Sequence, residues 1–334
     1  MTGGSTYIVS LPKKWITKNQ LKKGSSLTFL EEDDGSMSIL SSSELVRDQK
    51  PDEAFIKVAS NENPDTIIRK TVSAYLVGYN MIRIKARDQQ QLSSRQRSAM
   101  KNFARDLLVG TEIVTDTPTE LTLQVLLSYP ELSIQSALRR MCIITSSMHK
   151  EALTALKELD SQLAKSVIAT DDEVDRFNLY VIRQLKMAIQ NPRIIKEIGL
   201  ATARDCLGYR LVTKSVERAA DHAASIAENV LLLKKPLDEE VLEILEQMST
   251  LAVSMFETAI ESLFRLDFNL AESVIQKTKE INFTIKEALL SSKKIGTEEV
   301  ANLRLVIESL RRTAEYASDI AEIVLNLTVE SIIG

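Results

Sequence analysis

The stretch SVERAADHAASIAENVLLL (215–233) decides the fold, because it recurs with substitutions as SLRRTAEYASDIAEIVLNL (309–327). At 100° per residue, the apolar residues of the first copy form one continuous stripe along a helix. The same spacing is kept in the second copy. The sequence therefore predicts two amphipathic helices that occupy equivalent places in a repeated structure.

The repeat extends over three helices in each copy. The segment LAKSVIATDDEVD (163–175) recurs as LAESVIQKTKEIN (270–282), and 14 of the 38 positions from 138 to 175 are identical to those 107 residues later. The offset falls to 94 for the last helix, so the first copy contains about thirteen extra residues near QNPRIIKEIGL. We predict two three-helix bundles in tandem, at 131–235 and 237–331.

Polar residues of the first repeated helix fall into two groups. One group is predicted to lie opposite the apolar stripe and face solvent: Arg218, His222, Ser225 and Asn229. The other group lies along one border of the stripe: Glu217, Asp221 and Glu228. Like charges that close repel one another, so this border is either a solvated acidic ridge or the site of a bound cation.

The composition is that of an ordinary globular protein with a helical bias. Of the 334 residues 44% are hydrophobic and 26% are charged, with ten Gly and seven Pro. The net charge of −4 gives no overall attraction to nucleic acid or anionic membrane, so such binding requires a local patch. Cys142 and Cys206 have no CxxC partner and are expected to be reduced core residues. Without an apolar run of 18 residues or a signal peptide, we expect a cytoplasmic protein with no membrane insertion.

Residues 1–45 predict a small β-rich module. STYIVSL has a strand pattern, PKKWITKNQ a short helix that begins at Pro12, and LTFLEE and MSIL two further strands. A β-α-β-β unit of this size cannot bury a core alone, so we expect it to dimerise or to pack on another part of the protein.

Residues 46–128 predict an α+β (βαβαββ) middle domain, which we compare with the ferredoxin-like kind. The strands are FIKVAS, MIRIKA, TEIVTD and LTLQVLL, with helices at about 64–79 and 92–108 between them. No motif in this region names a ligand. A linker or dimerisation domain is the favoured interpretation, and a small-ligand sensor is the alternative.

Two pairs of carboxylates lie on neighbouring helices of the first bundle. Asp171 and Asp175 are four residues apart on the second helix, and Glu217 and Asp221 are four apart on the third. If those helices pack side by side, four carboxylates converge on one patch. Oxygen ligands suit Mg²⁺, Ca²⁺, Mn²⁺ or iron and are poor for structural zinc. The alternative is two solvated acidic faces.

Catalytic machinery is not evident. His222 is predicted to be a surface residue, and His149 a packed or hydrogen-bonded core residue. With only two histidines, neither a Ser-His-Asp nor a Cys-His constellation is convincing. No Glu-x-x-His occurs for a di-iron bundle, and no Gly-rich phosphate loop occurs. We therefore predict that the protein is not an enzyme, with an enzyme built on the carboxylate site as the minor alternative.

The stretch VERAADHAASIAENV, within its double repeat, is similar to the signature of PhoU proteins, which regulate phosphate uptake in bacteria and archaea. The resemblance covers roughly residues 131–330. It implies two tandem three-helix bundles with acidic E/D-x-x-x-D motifs that bind metal clusters. On this sequence it implies metal-binding roles for Asp171, Asp175, Glu217 and Asp221.

The second copy departs from that acidic pattern. The positions that match Asp171, Asp175, Glu217 and Asp221 are, in that order, Thr278, Asn282, Arg311 and Glu315. A guanidinium at a ligand position can pair with the neighbouring carboxylate, here Glu315, and needs no metal. We therefore expect one competent acidic site, in the first bundle.

The N-terminal stretch GGSTYIVSLPKKWITKNQLKKGSSLTFLEEDDGSMSIL (3–40) resembles the AbrB/SpoVT swapped-hairpin DNA-binding module in its archaeal form. That resemblance implies a dimer formed by strand exchange. Five lysines and no acid occur between residues 12 and 24, namely Lys13, Lys14, Lys18, Lys22 and Lys23. A two-fold dimer doubles them into a basic surface that can contact DNA phosphates. The alternative is that they only keep a small helix soluble.

Together these observations predict a mainly α protein that regulates phosphate uptake. An AbrB-like dimerising and DNA-binding head precedes the α+β domain, and a PhoU-like body binds a divalent or iron-type ion through carboxylates. By resemblance the partners are duplex DNA and a phosphate ABC transporter or its sensor. The second hypothesis is a protein–protein adaptor that negatively regulates the transporter without binding DNA.

Overall fold

The computed structural model describes two compact units, one that ends before Glu53 and one that begins there. The described residues are 8–31, 35–41, 53–87, 90–126, 132–190, 192–278, 297–329 and 332–333. Helices predominate, as predicted. Within these ranges no helix is long and apolar enough to cross a membrane.

The first unit contains a short helix and a hairpin. Helix α1 (Lys13–Lys18) begins after Pro12, and strands β1 (Leu27–Glu31) and β2 (Met37–Ser41) pair antiparallel. The predicted strand STYIVSL is not found: residues 8–11 are irregular, and its first three residues lie outside the described ranges. A strand requires a hydrogen-bonded neighbour, and no described residue of this chain pairs with 8–11.

The second unit opens with the predicted β-α-β-α-β-β domain. Its elements are β3 (Glu53–Val58), α2 (Pro64–Val77), β4 (Met81–Ala86), α3 (Ser94–Leu107), β5 (Thr111–Asp116) and β6 (Glu120–Val125). The strand order is β3-β4-β6-β5, with β3 and β4 parallel and the other pairs antiparallel. The comparison with a ferredoxin-like fold is wrong, because that fold separates the strands of its βαβ units, whereas β3 and β4 are direct neighbours.

One face of this sheet carries the core of the domain. Alternate strand residues are buried: Ile56, Val58, Ile82, Ile84, Leu121 and Leu123. Helices α2 and α3 add apolar side chains such as Ile67 and Met100 to the same cluster. Successive side chains of a strand point to opposite faces of the sheet. The exposed strand residues therefore lie on the face opposite the core.

The rest of the second unit is helical. Its elements are α4 (Ile134–Glu158), α5 (Ser161–Gln190), α6 (Pro192–Glu197), α7 (Asp205–Val230), α8 (Glu239–Arg265), the helical segment 268–278 and α9 (Thr297–Thr328). Helices α4, α5 and α7 pack on one another, α8 packs on α9, and α7 packs on α9. The short helix α6, of six residues, lies in the region of the extra residues of the first copy.

The internal repeat is visible in the turns. Leu159 and Leu266, which are 107 residues apart, end α4 and α8 in the left-handed conformation with φ of 52° and 50°. The following aspartates cap the next helix in the same way. Asp160 Oδ1 accepts from the Leu163 backbone N–H (3.1 Å), and Asp267 Oδ1 accepts from Leu270 N–H (3.0 Å). Equivalent sequence thus produces equivalent helix–turn–helix geometry.

A buried arginine joins the sheet domain to the helical body. Arg183 of α5 is 2% exposed and lies against the C-terminal end of α2. Its guanidinium donates to the carbonyl oxygens of Tyr75, Gly78 (3.1 Å) and Tyr79 (3.0 Å) and to Asn80 Oδ1 (2.8 Å). The carbonyl acceptors lie at and just beyond the C-terminal end of α2, where the helix leaves carbonyl groups without a partner of its own, so Arg183 caps α2 from the helical body.

Candidate functional site

Helices α5 and α7 pack side by side and bring the predicted carboxylates into mutual electrostatic contact. Partial burial, followed by repulsion from Asp221, Asp175 and Glu217, raises the pKa of Asp171 to about 7. Burial and the charges of Glu217 and Asp221 raise the pKa of Asp175 to about 6. The two pairs therefore form one acidic patch, here called the α5–α7 carboxylate patch: Asp171, Asp175, Glu217 and Asp221.

The members of this patch differ in solvent access. Asp171 and Asp175 are half-buried, whereas Asp221 remains exposed and Glu217 is 9% exposed. Partial burial and the Glu217 charge raise the pKa of Asp221. None of the three aspartates forms an ion pair with a described residue. The charges of Lys214 and Arg218 offset part of the increase in the pKa of Asp221. Carboxylates held together without a directly paired cation favour either bound protons or a bound cation.

Glu217 has a counter-charge of its own. The Lys214 ammonium, one turn earlier on α7, pairs with both carboxylate oxygens of Glu217. In the described parts of the chain, no three Asp, Glu, His or Cys side chains lie close enough together to share a metal ion. The donor set suits a hard cation in type and charge, but binding would require Glu217 to leave Lys214. The metal-ligand roles of these four residues stay predictions.

The second copy contains the predicted internal ion pair. Arg311 of α9 donates from Nη1 to Glu315, and its Nε donates to Glu308 Oε2 at 2.8 Å. Arg312 Nη1 donates to the other Glu315 oxygen at 3.0 Å. Glu315 is thus already neutralised by two guanidinium groups. Thr278 is half-buried, and Asn282 lies outside the described residues.

His222 and Asn229 were predicted to face solvent, and the structure corrects both. Asn229 is 5% exposed and donates to the Ser225 carbonyl oxygen at 2.8 Å. His222 is half-buried, with Nδ1 3.2 Å from Ser309 Oγ and its ring stacked on Tyr316 at 5.8 Å between centroids. Helix α9 of the second bundle packs on this side of α7, so α7 is covered on two sides rather than one.

His149 is a buried core residue, as predicted. Its Nε2 lies 2.8 Å from the Ala219 carbonyl oxygen and 3.2 Å from Thr313 Oγ1. Burial lowers the pKa of His149 to about 4. The neutral ring therefore joins α4 to both α7 and α9.

The five lysines of the first unit form an exposed basic surface, here called the head lysines. Lys13, Lys14 and Lys18 lie on α1, and Lys22 and Lys23 lie in the segment that follows it. All five are exposed, and none forms an ion pair with a described residue. Their charges are thus free to attract an anionic partner.

Comparison with known families agrees with this architecture. Residues 138–230 and 245–324, a little over half of the chain, match the family model described as PhoU domain. The two matched ranges coincide with the tandem helical repeat. This chain belongs to the PhoU family, which confirms the resemblance seen in the repeat. Residues 1–42 match a second model, described as antidote-toxin recognition MazE, bacterial antitoxin.

The alignments with two curated relatives each cover 81% of the relative's length. The phosphate-specific transport system accessory protein PhoU homolog of Borreliella burgdorferi is 27% identical over 189 residues, 52% of this chain and 81% of the relative. The homolog from Pseudomonas aeruginosa is 25% identical over 209 residues, 58% of this chain and 81% of the relative. None of these alignments extends over the whole of this chain.

Solved structures share the fold of the helical body. The phosphate transport system regulatory protein PhoU from Streptococcus pneumoniae gives a TM-score of 0.52 at 22% identity, covering 60% of this chain and 96% of that one. PhoU from Pseudomonas aeruginosa gives the same TM-score at 23% identity, covering 59% and 96%. At this identity the likeness concerns the fold alone.

Proposed function

We propose that this chain regulates phosphate transport, with a DNA-binding head joined to a PhoU-type body. The relatives that match its helical repeat are named as accessory proteins of phosphate-specific transport systems. By this analogy its protein partner is a phosphate ABC transporter or the sensor that acts with it. The role is regulatory rather than catalytic.

The observation that carries DNA binding is the exposure of all five head lysines without an ion-pair partner in the described chain. Each lysine that neutralises a phosphate releases a condensed counterion, which makes such binding strongly salt-dependent. The match of residues 1–42 to an antitoxin family supports a separate function for this unit.

Dimerisation of the head is part of the proposal. Among the described residues its sheet contains only β1 and β2, and large apolar side chains of the head are exposed: Ile8 is 89% exposed, Val9 68%, Phe29 54% and Met37 63%. A two-stranded hairpin is marginal by itself. A second copy that covers these residues would supply the missing core and double the number of head lysines.

The α5–α7 carboxylate patch would hold the metal of this regulator. Asp171, Asp175 and Asp221 offer oxygen donors that form no ion pair with a described residue, and Glu217 would exchange Lys214 for the ion. Mg²⁺, Mn²⁺, Ca²⁺ or iron suits such donors. A bound cation would neutralise the repulsion between α5 and α7.

DNA binding is tested with full-length protein and duplex DNA by fluorescence anisotropy at several salt concentrations. Lys13→Glu/Lys14→Glu should weaken binding by about tenfold or more and lower the slope of log K against log salt by about 0.9 per lost contact. Lys165→Glu/Lys186→Glu, at exposed lysines of α5, is the charge-matched control and should change the affinity by less than about twofold.

Absence of salt-dependent DNA binding, or equal loss in both variants, would favour the adaptor hypothesis. In that case the head serves only for dimerisation, and the protein acts on the transporter through its helical body.

A further inference from the structure

Strand β3 forms one edge of the sheet in the second unit, with β4 on its inner side. The Val58 carbonyl oxygen accepts from Arg87 N–H on the β4 side at 2.9 Å. Because backbone groups alternate in direction along a strand, Glu53, Phe55 and Lys57 direct their N–H and C=O groups outward. No described residue pairs with those groups.

The two edges of the sheet are built differently. On the β5 edge the pairing register shifts between Ile113 and Thr115, which leaves Val114 in a bulge. Bulges are one way in which proteins protect an edge from further strand pairing. Strand β3 has no bulge or proline, and its register with β4 is continuous from Glu53 to Val58. The β3 edge is therefore the one shaped for another strand.

The exposed face of β3 carries an aromatic residue between opposite charges. Glu53, Phe55 and Lys57 are exposed, and Phe55 retains 61% of its accessible surface. Lys57 lies beside Lys85 of β4 and forms no ion pair with a described residue. Lys85 is already paired with Glu120, at 3.3 Å. Lys57 thus lacks an anionic neighbour, whereas the partly exposed Glu53 carboxylate pairs with Arg83 of β4 at 3.1 Å.

We propose that two copies of the chain join through β3, antiparallel, about a two-fold axis at Phe55. The arrangement places Phe55 opposite the partner's Phe55 and Glu53 opposite the partner's Lys57. The reciprocal contact, Lys57 with the partner's Glu53, follows from the symmetry. All three pairs use outward backbone groups, so each is a hydrogen-bonded antiparallel pair. The result is one continuous sheet across the dimer.

Charge selects this register over its neighbour. Moving the axis by one residue, to Ile56, would place Phe55 opposite the partner's Lys57 and Glu53 opposite the partner's Ala59. Lys57 would then lose its anionic complement, and Glu53 would keep only Arg83 of its own chain. Opposite charges directly across two strands are favourable, and like charges there are unfavourable. The occupant of this edge is therefore a second copy, because the segment complements itself.

The first test is site-directed cross-linking of the full-length protein. Cα atoms of a hydrogen-bonded antiparallel pair lie about 5.5 Å apart, within disulfide range. Phe55→Cys should give a disulfide-linked dimer on mild oxidation, since the chain's own Cys142 and Cys206 are buried. Val114→Cys, exposed on the bulged β5 edge, is the matched control and should remain monomeric on a non-reducing gel.

The second test uses charge reversal in the Phe55→Cys background. Glu53→Lys places Lys against Lys, and Lys57→Glu places Glu against Glu, so each alone should lower the rate of cross-linking by about tenfold. Mixing the two variants restores opposite charges at both contacts. The mixed dimer, identified by its mass, should therefore form at close to the rate of the parent.

Equal cross-linking of Phe55→Cys and Val114→Cys would overturn the proposal. Failure of Phe55→Cys to cross-link, together with protection of the Phe55 amide from hydrogen exchange in monomeric wild type, would also overturn it. That result would mean that another segment of the same chain pairs with β3. The proposal is independent of DNA binding and of contacts in the head. DNA binding and head dimerisation can persist when cross-linking through β3 fails. Failure of this proposal can therefore be distinguished from failure of the proposed function.

Discussion

The Arg183 guanidinium of α5 donates to the carbonyl oxygen of Gly78, the residue that ends α2 (Nη2···O, 3.1 Å). Gly78 has φ of 110°, a left-handed conformation that favours glycine. A Cβ built at this residue would lie 3.1 Å from Met187 Cγ of α5. Arg183 and Met187 of α5 therefore both pack against the C-terminal end of α2. Helix α5 thus connects the sheet domain to the carboxylate patch.

Arg183→Ala should destabilise the docking of the sheet domain by about 3 kcal/mol, because buried carbonyl oxygens lose their donor. We expect a second transition at low urea, measured by circular dichroism. Arg176→Ala, at an exposed position of the same helix, should change stability by less than about 0.5 kcal/mol. A single, unshifted transition for Arg183→Ala would contradict this role.

The metal prediction is tested by elemental analysis of purified protein after dialysis. Wild type should retain metal in stoichiometric amount, and Asp175→Ala/Asp221→Ala should lose it, because two carboxylate donors are removed. Glu315→Ala is the control in the second copy, where two arginines already neutralise the carboxylate. Metal content should not change there. If wild type contains no metal, the patch is a solvated acidic ridge and the metal prediction is wrong.

Asp171 should make the metal-free protein less stable as pH rises. Its pKa is about 7 in the folded state and about 3.9 in an unfolded chain. Between these values the folded state binds more protons, so the free energy of unfolding falls with increasing pH. With allowance for solvent screening, Asp171→Asn should raise it by about 1 kcal/mol at pH 8.

Thermal unfolding in the presence of a chelator, at pH 5 and pH 8, measures this effect. Glu173→Gln, an exposed acid on the same helix, should leave the pH dependence unchanged. Identical pH profiles for wild type and Asp171→Asn would show that repulsion in the patch does not affect stability.

His149 should make the protein less stable as pH falls, the reverse of the effect of Asp171. Its folded pKa of about 4 lies below the ordinary value of 6.5, so the neutral form stabilises the fold above pH 6.5. About 3 kcal/mol of that stability is lost as pH falls from 6.5 to 4. The measurement is the difference in unfolding free energy between wild type and His149→Gln across that range.

The His222→Gln variant distinguishes the contributions of the two histidines to the pH dependence of stability. Because His222 is only half-buried, this variant should keep most of the wild-type pH dependence. If His222→Gln removes that dependence and His149→Gln does not, the assignment to His149 is wrong.

The sequence by itself determined the repeat and most of the secondary structure. Apolar spacing at 215–233 and 309–327 fixes two equivalent helices, because burial of one stripe dictates the period. The same spacing pairs Asp171 with Asp175 and Glu217 with Asp221, since residues four apart project from one helix face, but only the packing of α5 on α7 brings the two pairs together. The ion pair of Arg311 with Glu315 follows from the same geometry.

Only the tertiary structure decided what covers each surface. His222 and Asn229 look solvent-facing by periodicity, but α9 packs on that side of α7. Arg183 could have been suspected, because it interrupts the apolar run YVIRQL, yet its acceptors lie more than 100 residues away. Local spacing encodes direction relative to one helix axis. The neighbour found in that direction is set by packing between elements distant in sequence, which no local pattern encodes.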